Sequence, residues 1–347
     1  MIIAVAVSGG MDSLLSLALL KEQGHDLIAV HGHFLPPNPA WQSVIEGLTK
    51  ACDILGVPFH ALDLHKEFDC RVVAPFVKDY RAGLTPNPCA MCNPRMKFGV
   101  LFDAARQLGA DRLATGHYVS MVAREQGRML VRGADMTKDQ SYFLSLVPIE
   151  NLRQAEFPLA ETLKKDVLEI LAKHGLTPPI PSESQEICFV PDDDYQAFLL
   201  ERGPMPEGGP AILPDGTIVG EHKGLWRHTQ GQRRGLGIAW TEALYVLDKD
   251  VHSNTLIVGP KSALQSGGCV AGQVNLMSPM DAWPEIVMVQ TRYRQKAKPS
   301  QVKLVGGSLR FEFLESHTRP TPGQVAAVYT EDGMVLGGGI IEKPLPL

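Results

Sequence analysis

Three short stretches hold residues whose types and spacing could do chemistry. The first is "SGGMDS", Ser8 to Ser13, which follows the apolar run "IIAVAV" and opens the leucine-rich "LLSLALL". A glycine turn between a strand and a helix lets backbone N–H groups approach phosphate oxygens, and the helix end adds partial positive charge. A Walker loop needs GxxxxGK[ST], and no lysine stands in this turn; a Rossmann fingerprint needs GxGxxG, and Gly9-Gly10 has the wrong spacing. The second stretch, "GLTPNPCAMCNPRMKFG", reads as a proline-bounded loop holding Cys89 and Cys92 just before a helix, with Arg95 and Lys97 in the turn after them. Cations and a helix N-terminus lower a thiol's pKa, so a reactive thiolate is expected there. The third stretch is "SESQEICFVPDDDYQAFL", where Cys188 stands between apolar neighbours and by itself reads as a buried structural thiol.

The elements that must position these residues are legible in outline. "IIAVAVS", "HDLIAVHG", "PFHALDL" and "DRLATGHY" read as strands; "DSLLSLALLKEQG", "WQSVIEGLTKACDILG" and "RMKFGVLFDAARQLGA" read as the helices between them. Such alternation implies a parallel sheet. "ETLKKDVLEILAKHGL" is a further helix, followed by the Pro-rich "TPPIPSES". Beyond about residue 205, short β-like runs punctuated by Gly and Pro suggest small β modules, with "VHSNTLIVGPKSA" to "QSGGCVAG" as the linker between two of them.

The 347 residues suggest two or three domains, and 44% hydrophobic with 20% charged residues fits a globular protein with a sizeable core. No apolar run is long enough to span a membrane, and "MIIAVAV" carries no basic leader, so a cytoplasmic protein is expected. Six cysteines are too few for a disulfide scaffold at this length; in a reducing compartment a close pair is catalytic or metal-binding more often than structural. The net charge of -5 argues weakly against nucleic acid. A local stripe works the other way: "TRYRQKAKPSQVK" holds Arg292, Arg294, Lys296, Lys298 and Lys303 without an acid, and reads as a phosphate-binding stripe or a solvated edge strand. "WRHTQGQRRG", with Arg227, Arg233 and Arg234, suits either nucleic-acid binding or a brace at a domain junction.

"SGGMDS" fits the PP-loop pattern SGGxDS of enzymes that split ATP between the α- and β-phosphates. Together with "TPNPCAMCN", "LGADRLATGHY", "KDQSYFL", "SQEICF", "GEHKGLWRHTQGQRRGLGI", "TRYRQ" and "VLGGGII", it makes the chain resemble, nearly end to end, the tRNA-specific 2-thiouridylases. These enzymes place sulfur on C2 of the wobble uridine. The resemblance implies an α/β fold: an N-terminal doubly wound parallel sheet of PP-loop type over 1–198, a small β-rich central domain over 199–262, and a C-terminal, tRNA-contacting β-barrel over 263–347. It implies an ATP site at Ala6, Val7, Ser8, Gly9, Gly10, Met11, Asp12, Ser13, Gly32 and Gly116, with Mg2+ near Asp12. Cys92 is implied as nucleophile and Cys188 as persulfide carrier, whose terminal sulfur either attacks C2 directly or is first freed by Cys92 as hydrosulfide, ending each turnover as a Cys92–Cys188 disulfide. Asn87, Pro88, Cys89, Lys138, Asp139, Gln140, Arg292 and Tyr293 are implied as tRNA contacts. The implied partners are tRNA and a persulfide-carrying sulfur donor protein, with no membrane.

The chain departs from the family pattern in places. Some members carry an aspartate where this chain has Cys89. "VHGHFLPPNP" stands where the family has a methionine-containing adenine contact, which is why Gly32 is the matching position, and the cysteine-containing segment often found after it is missing. Cys89 also opens a second chemistry, in which Cys89, Cys92 and Cys188 ligate an iron–sulfur cluster whose open iron binds hydrosulfide. An amidotransferase-type synthetase and a non-catalytic tRNA-binding protein are the readings from other classes.

Overall fold

A computed structural model describes residues 1–181 and 187–347; the part of "SESQEICF" at 182–186 lies outside them. The N-terminal strands are β1 (Ile2–Ala6), β2 (Asp26–His33), β3 (Phe59–Asp63), β4 (Arg112–Ala114) and, after a hairpin of β5 (Val119–Arg124) and β6 (Gly127–Arg132), β7 (Ala155–Glu156). They form one parallel sheet in the order β3-β2-β1-β4-β7. Ile3, Ala4 and Val5 of β1 are buried on both faces, as an unbroken apolar run in a central parallel strand requires.

Helix α1 (Met11–Glu22) leaves the sheet directly after the glycine turn. Leu14, Leu15, Leu17 and Leu20 are all buried, because one side of α1 packs on the sheet and another on the helix Val167–Lys173. Helix α2 (Pro39–Leu55) begins with Asn38, whose side chain accepts from Trp41 N at 3.1 Å, and ends on Gly56 in the left-handed region. The two-residue strand β7 carries no periodic signal, and it escapes a reading by pattern.

One expected helix starts earlier than its sequence suggests. Pro88–Cys92 is itself helical and runs on through widened, π-type turns at Asn93–Leu101 into Phe102–Gln107. The two cysteines therefore lie in the opening two turns of a helix, not in a loop before it. Asn87 accepts from Ala90 N at 3.1 Å and Pro88 fills the first helical position, an N-terminal pair that the sequence does display.

A four-stranded sheet follows, from β8 (Gly209–Ile212), β9 (Ile218–His222), β10 (Tyr245–Asp250) and β11 (Thr255–Gly259), ordered β10-β11-β8-β9. The last unit is a closed six-stranded barrel of β12 (Gln265–Leu276), β13 (Val287–Gln290), β14 (Lys298–Val305), β15 (Ser308–Thr318), β16 (Val325–Tyr329) and β17 (Val335–Leu345), ordered β12-β15-β14-β13-β16-β17. The stretch expected as a linker is mostly strand: β11 pairs with β10 and β12 with β15 and β17, which leaves only 260–264 between them. The largest apolar cluster runs across all three units, joining Phe76, Phe102 and Tyr142 to Trp226 and to Val325, Ala327 and Tyr329 of the barrel. Among the described residues no helix is long and apolar enough to cross a membrane.

Candidate active site

The glycine turn joins the end of β1 to α1. Gly9 has φ +93°, a region that L side chains avoid, and an added Cβ would stand 2.9 Å from Val44 Cγ1. Ser13 holds the turn closed: its hydroxyl accepts from Ser8 N at 3.0 Å and donates to Gly10 O at 2.9 Å. Ala6 ends β1, and the buried Val7 continues it by donating from its N–H to Val30 O at 2.9 Å. Met11, half-buried, opens α1. Gly116 presses on the turn from β4's end; a Cβ there would stand 2.9 Å from both Asp12 C and Ser13 N. Gly32, inside β2, is closed in by Phe34 and Leu101.

Asp12 is not free. Its two oxygens each accept from Lys164 Nζ at 2.6 Å, and the Tyr118 hydroxyl donates to Oδ1 at 2.7 Å. Neither partner carries a sequence signal of its own: Tyr118 ends "LGADRLATGHY" and Lys164 lies in "ETLKKDVLEILAKHGL".

Cys89 and Cys92 share one face of their helix, three residues apart. Cys188 sits in a turn closed by Val190 N donating to Ile187 O at 2.9 Å. It is exposed, while its neighbour Phe189 is buried against Phe68, Phe76 and Phe198. The apolar context seen in the sequence thus anchors Phe189 and presents Cys188. The fold brings the three thiols together: Cys188 and Cys89 both lie close enough to raise the Cys92 pKa, and Cys89 raises that of Cys188.

The expected thiolate is not formed in this arrangement. Burial pushes Cys92 up to about 12, outweighing the cation Lys97. Cys188 is pushed up to about 11, again first by burial, and Cys89 is raised for the same reason, although both reach solvent on one side. Desolvation disfavours an anion more than one nearby ammonium restores it. Among the described residues Lys97 is the cation that lowers all three thiols. Arg95, expected beside it, instead donates to Arg71 O at 2.9 Å. Lys97 Nζ stands 3.3 Å from His117 Nε2, and His117 Nδ1 stands 2.8 Å from Thr115 Oγ1. Burial holds His117 well below its ordinary pKa, so the ring is neutral; it accepts from Lys97 on Nε2 and donates from Nδ1 to Thr115. Among the described residues no group of three or more His, Cys, Asp or Glu is placed to hold a metal ion.

The three segments matched to tRNA contacts converge around Tyr142 and Phe143. The Asn87 side chain lies within hydrogen-bonding reach of the Tyr142 hydroxyl. Lys138, Asp139 and Gln140 lead directly into the helix Ser141–Leu144. Tyr293, from the barrel, packs against Phe143 with ring centroids 4.3 Å apart and the planes tilted by 44°, and Arg292 beside it is exposed. Asp139 is buried and its oxygens accept from Arg132 Nη1 at 2.6 Å, Ser141 Oγ at 2.7 Å, and the N–H groups of Gly133 and Ser141, so it holds the turn in place. Gln140 is held by Tyr118, whose N–H donates to its Oε1 at 3.2 Å. Of the other arginines, Arg227 braces a junction, donating to Gln196 and stacking on Trp226, while Arg233 and Arg234 are exposed.

The chain thus joins a parallel sheet with a glycine turn at its first strand to a small central sheet and a closed barrel. Residues 1–192 match the model described as tRNA methyl transferase HUP domain, 196–260 the tRNA methyl transferase PRC-barrel domain, and 266–341 the Aminomethyltransferase beta-barrel domain. The chain is 52% identical over 349 residues to the tRNA-specific 2-thiouridylase MnmA of Nitratidesulfovibrio vulgaris, covering 99% of each. The same-named proteins of Lawsonia intracellularis (45% identical, 99% of each chain) and Geobacter metallireducens (40%, 99% of this chain and 97% of that one) are also similar. The chain belongs to the tRNA-specific 2-thiouridylase family.

Proposed function

We propose that this protein carries out ATP-dependent 2-thiolation of the wobble uridine of tRNA, with Cys92 and Cys188 as the sulfur-handling pair. The observation that carries the reading is the convergence of two thiols from distant parts of the chain beside a single cation, Lys97, next to the segments matched to tRNA. Uracil C2 is a poor electrophile. Its carbonyl oxygen attacks the α-phosphorus of ATP, and pyrophosphate leaves into the turn Ser8–Ser13, whose helix end suits an anion. The terminal sulfur of a Cys188 persulfide then bonds to C2, and AMP departs with the electrons of the C2–O bond. Cys92 attacks Cys188 Sγ, forming the Cys92–Cys188 disulfide and releasing the 2-thiouridine sulfur with the electron pair of the S–S bond. A dithiol reductant restores both thiols, and a sulfur donor protein reloads Cys188.

Asp12 is the carboxylate that would hold a magnesium ion. The ion would neutralise polyphosphate charge. The wobble base is single-stranded in its loop, so presenting it to the site costs a few kcal/mol at most. The chain is proposed to divide at 1–198, 199–262 and 263–347, with the last unit gripping tRNA through Arg292 and Tyr293. The deciding measurement is nucleoside mass spectrometry of tRNA incubated with protein, ATP and a persulfide donor. Wild type yields 2-thiouridine, and Cys188→Ala and Asp12→Ala yield none while still binding tRNA. Unchanged thiolation by Cys188→Ala overturns the sulfur route.

A further inference from the structure

The glycine turn lacks the lysine that a Walker loop carries within itself. The fold supplies one from 152 residues further along the chain. Lys164 Nζ stands 2.6 Å from each oxygen of Asp12, and its side chain is only 13% exposed. Its position is fixed from its own backbone as well: Lys164 N donates to Asp135 Oδ2 at 3.0 Å. Amide dipoles at a helix end suit an anion, but they add only partial charge, whereas pyrophosphate carries several full negative charges. A confined ammonium beside the turn supplies a full one.

We propose that Lys164 is a phosphate-binding residue of the nucleotide site, which passes from Asp12 to the β- and γ-phosphates as Asp12 takes up the cation that arrives with them. This rests on reading Ser8–Ser13 as the pyrophosphate cradle. The exchange keeps the charge balanced: the ammonium leaves one anion for another, and the carboxylate trades one cation for another. The Tyr118 hydroxyl, 2.7 Å from Asp12 Oδ1, keeps the carboxylate aimed at the turn during the exchange.

The test is calorimetric titration of magnesium pyrophosphate and, separately, AMP into wild type, Lys164→Met and Lys164→Arg. Lys164→Met retains the apolar stem and protects the fold, which thermal unfolding checks. Pyrophosphate affinity should fall at least tenfold in Lys164→Met and within about threefold in Lys164→Arg, with AMP affinity unchanged in both. Unchanged pyrophosphate affinity in Lys164→Met overturns the proposal. So does an equal loss for pyrophosphate and AMP, which would mark Lys164 as a purely structural partner of Asp12. Recovery of pyrophosphate affinity in the double variant Asp12→Asn/Lys164→Met also overturns it, since the loss would then come from an uncovered carboxylate. A wild type that binds AMP but not pyrophosphate removes the cradle reading itself, and this proposal with it.

Discussion

Lys97 sets the local charge around the three thiols. It lowers the pKa of Cys89, Cys92 and Cys188 against the larger effect of burial, and it is held by a neutral His117. With Cys92 pushed up to about 12, the thiolate fraction is small at neutral pH and grows as pH rises. Lys97→Met removes the lowering contribution, so the Cys92 pKa moves further up. Alkylation of Cys92 by iodoacetamide, followed peptide by peptide in a mass spectrometer, should be slower in the variant at every pH below that value. An identical pH profile for the two proteins would remove Lys97 from this role. The sequence placed Lys97 near the cysteines correctly. It misjudged the outcome, because the burial of a thiol is a property of the packed fold.

At the scale of elements, two glycine contacts set the nucleotide turn. Gly9 needs its positive φ, and Gly116 lets the chain after β4 touch the backbone of Asp12 and Ser13. A methyl at position 116 would meet rigid backbone at 2.9 Å, so Gly116→Ala should displace the turn and weaken ATP binding at least tenfold while circular dichroism stays unchanged. Retained affinity would mean that the turn yields. In the central unit, His228 is buried with both ring nitrogens lacking partners among the described residues, and burial lowers its pKa to about 4. The unfolded chain then binds the extra proton between pH 6.5 and about 4. Stability is therefore full above 6.5 and is lost as pH falls through that window. His228→Leu should flatten the fall of the urea midpoint across it, and an unaltered slope would count against His228 as a source.

For the whole molecule, polar latches join the barrel to the N-terminal unit beside the shared apolar cluster. Arg132 pairs with buried Asp139, donates to Gln290 Oε1 at 2.9 Å, and lies 3.8 Å over the Tyr329 ring. The Tyr142 hydroxyl donates to Val325 O and accepts from Val325 N. Asn275 Nδ2 donates to the carbonyls of Ser145 and Val147 at 2.9 Å. Arg132→Ala leaves Asp139 as an unpaired buried carboxylate, a loss of about 3 kcal/mol. It should lower the thermal midpoint and weaken tRNA binding, measured by fluorescence anisotropy, more than it weakens ATP binding. Equal or absent effects would mean that the barrel's pose does not depend on this latch.

The sequence by itself determined the local structures and the residue types. "IIAVAVSGGMDS" specifies strand, turn and helix through an apolar run, two glycines and a polar helix start, and the spacing of "SGGMDS" excludes the other common phosphate loops. The repeated short runs after residue 205 foretold β units, because alternation and turn residues are local signals. Only the tertiary structure decided what meets what. It set Lys164 on Asp12, gave the thiols their raised pKa values, and brought Asn87, Gln140 and Tyr293 around one pair of aromatic rings. The physical reason is that propensity and periodicity act over a few residues, whereas contact across 152 positions, desolvation and shared electrostatics exist only once the chain is packed.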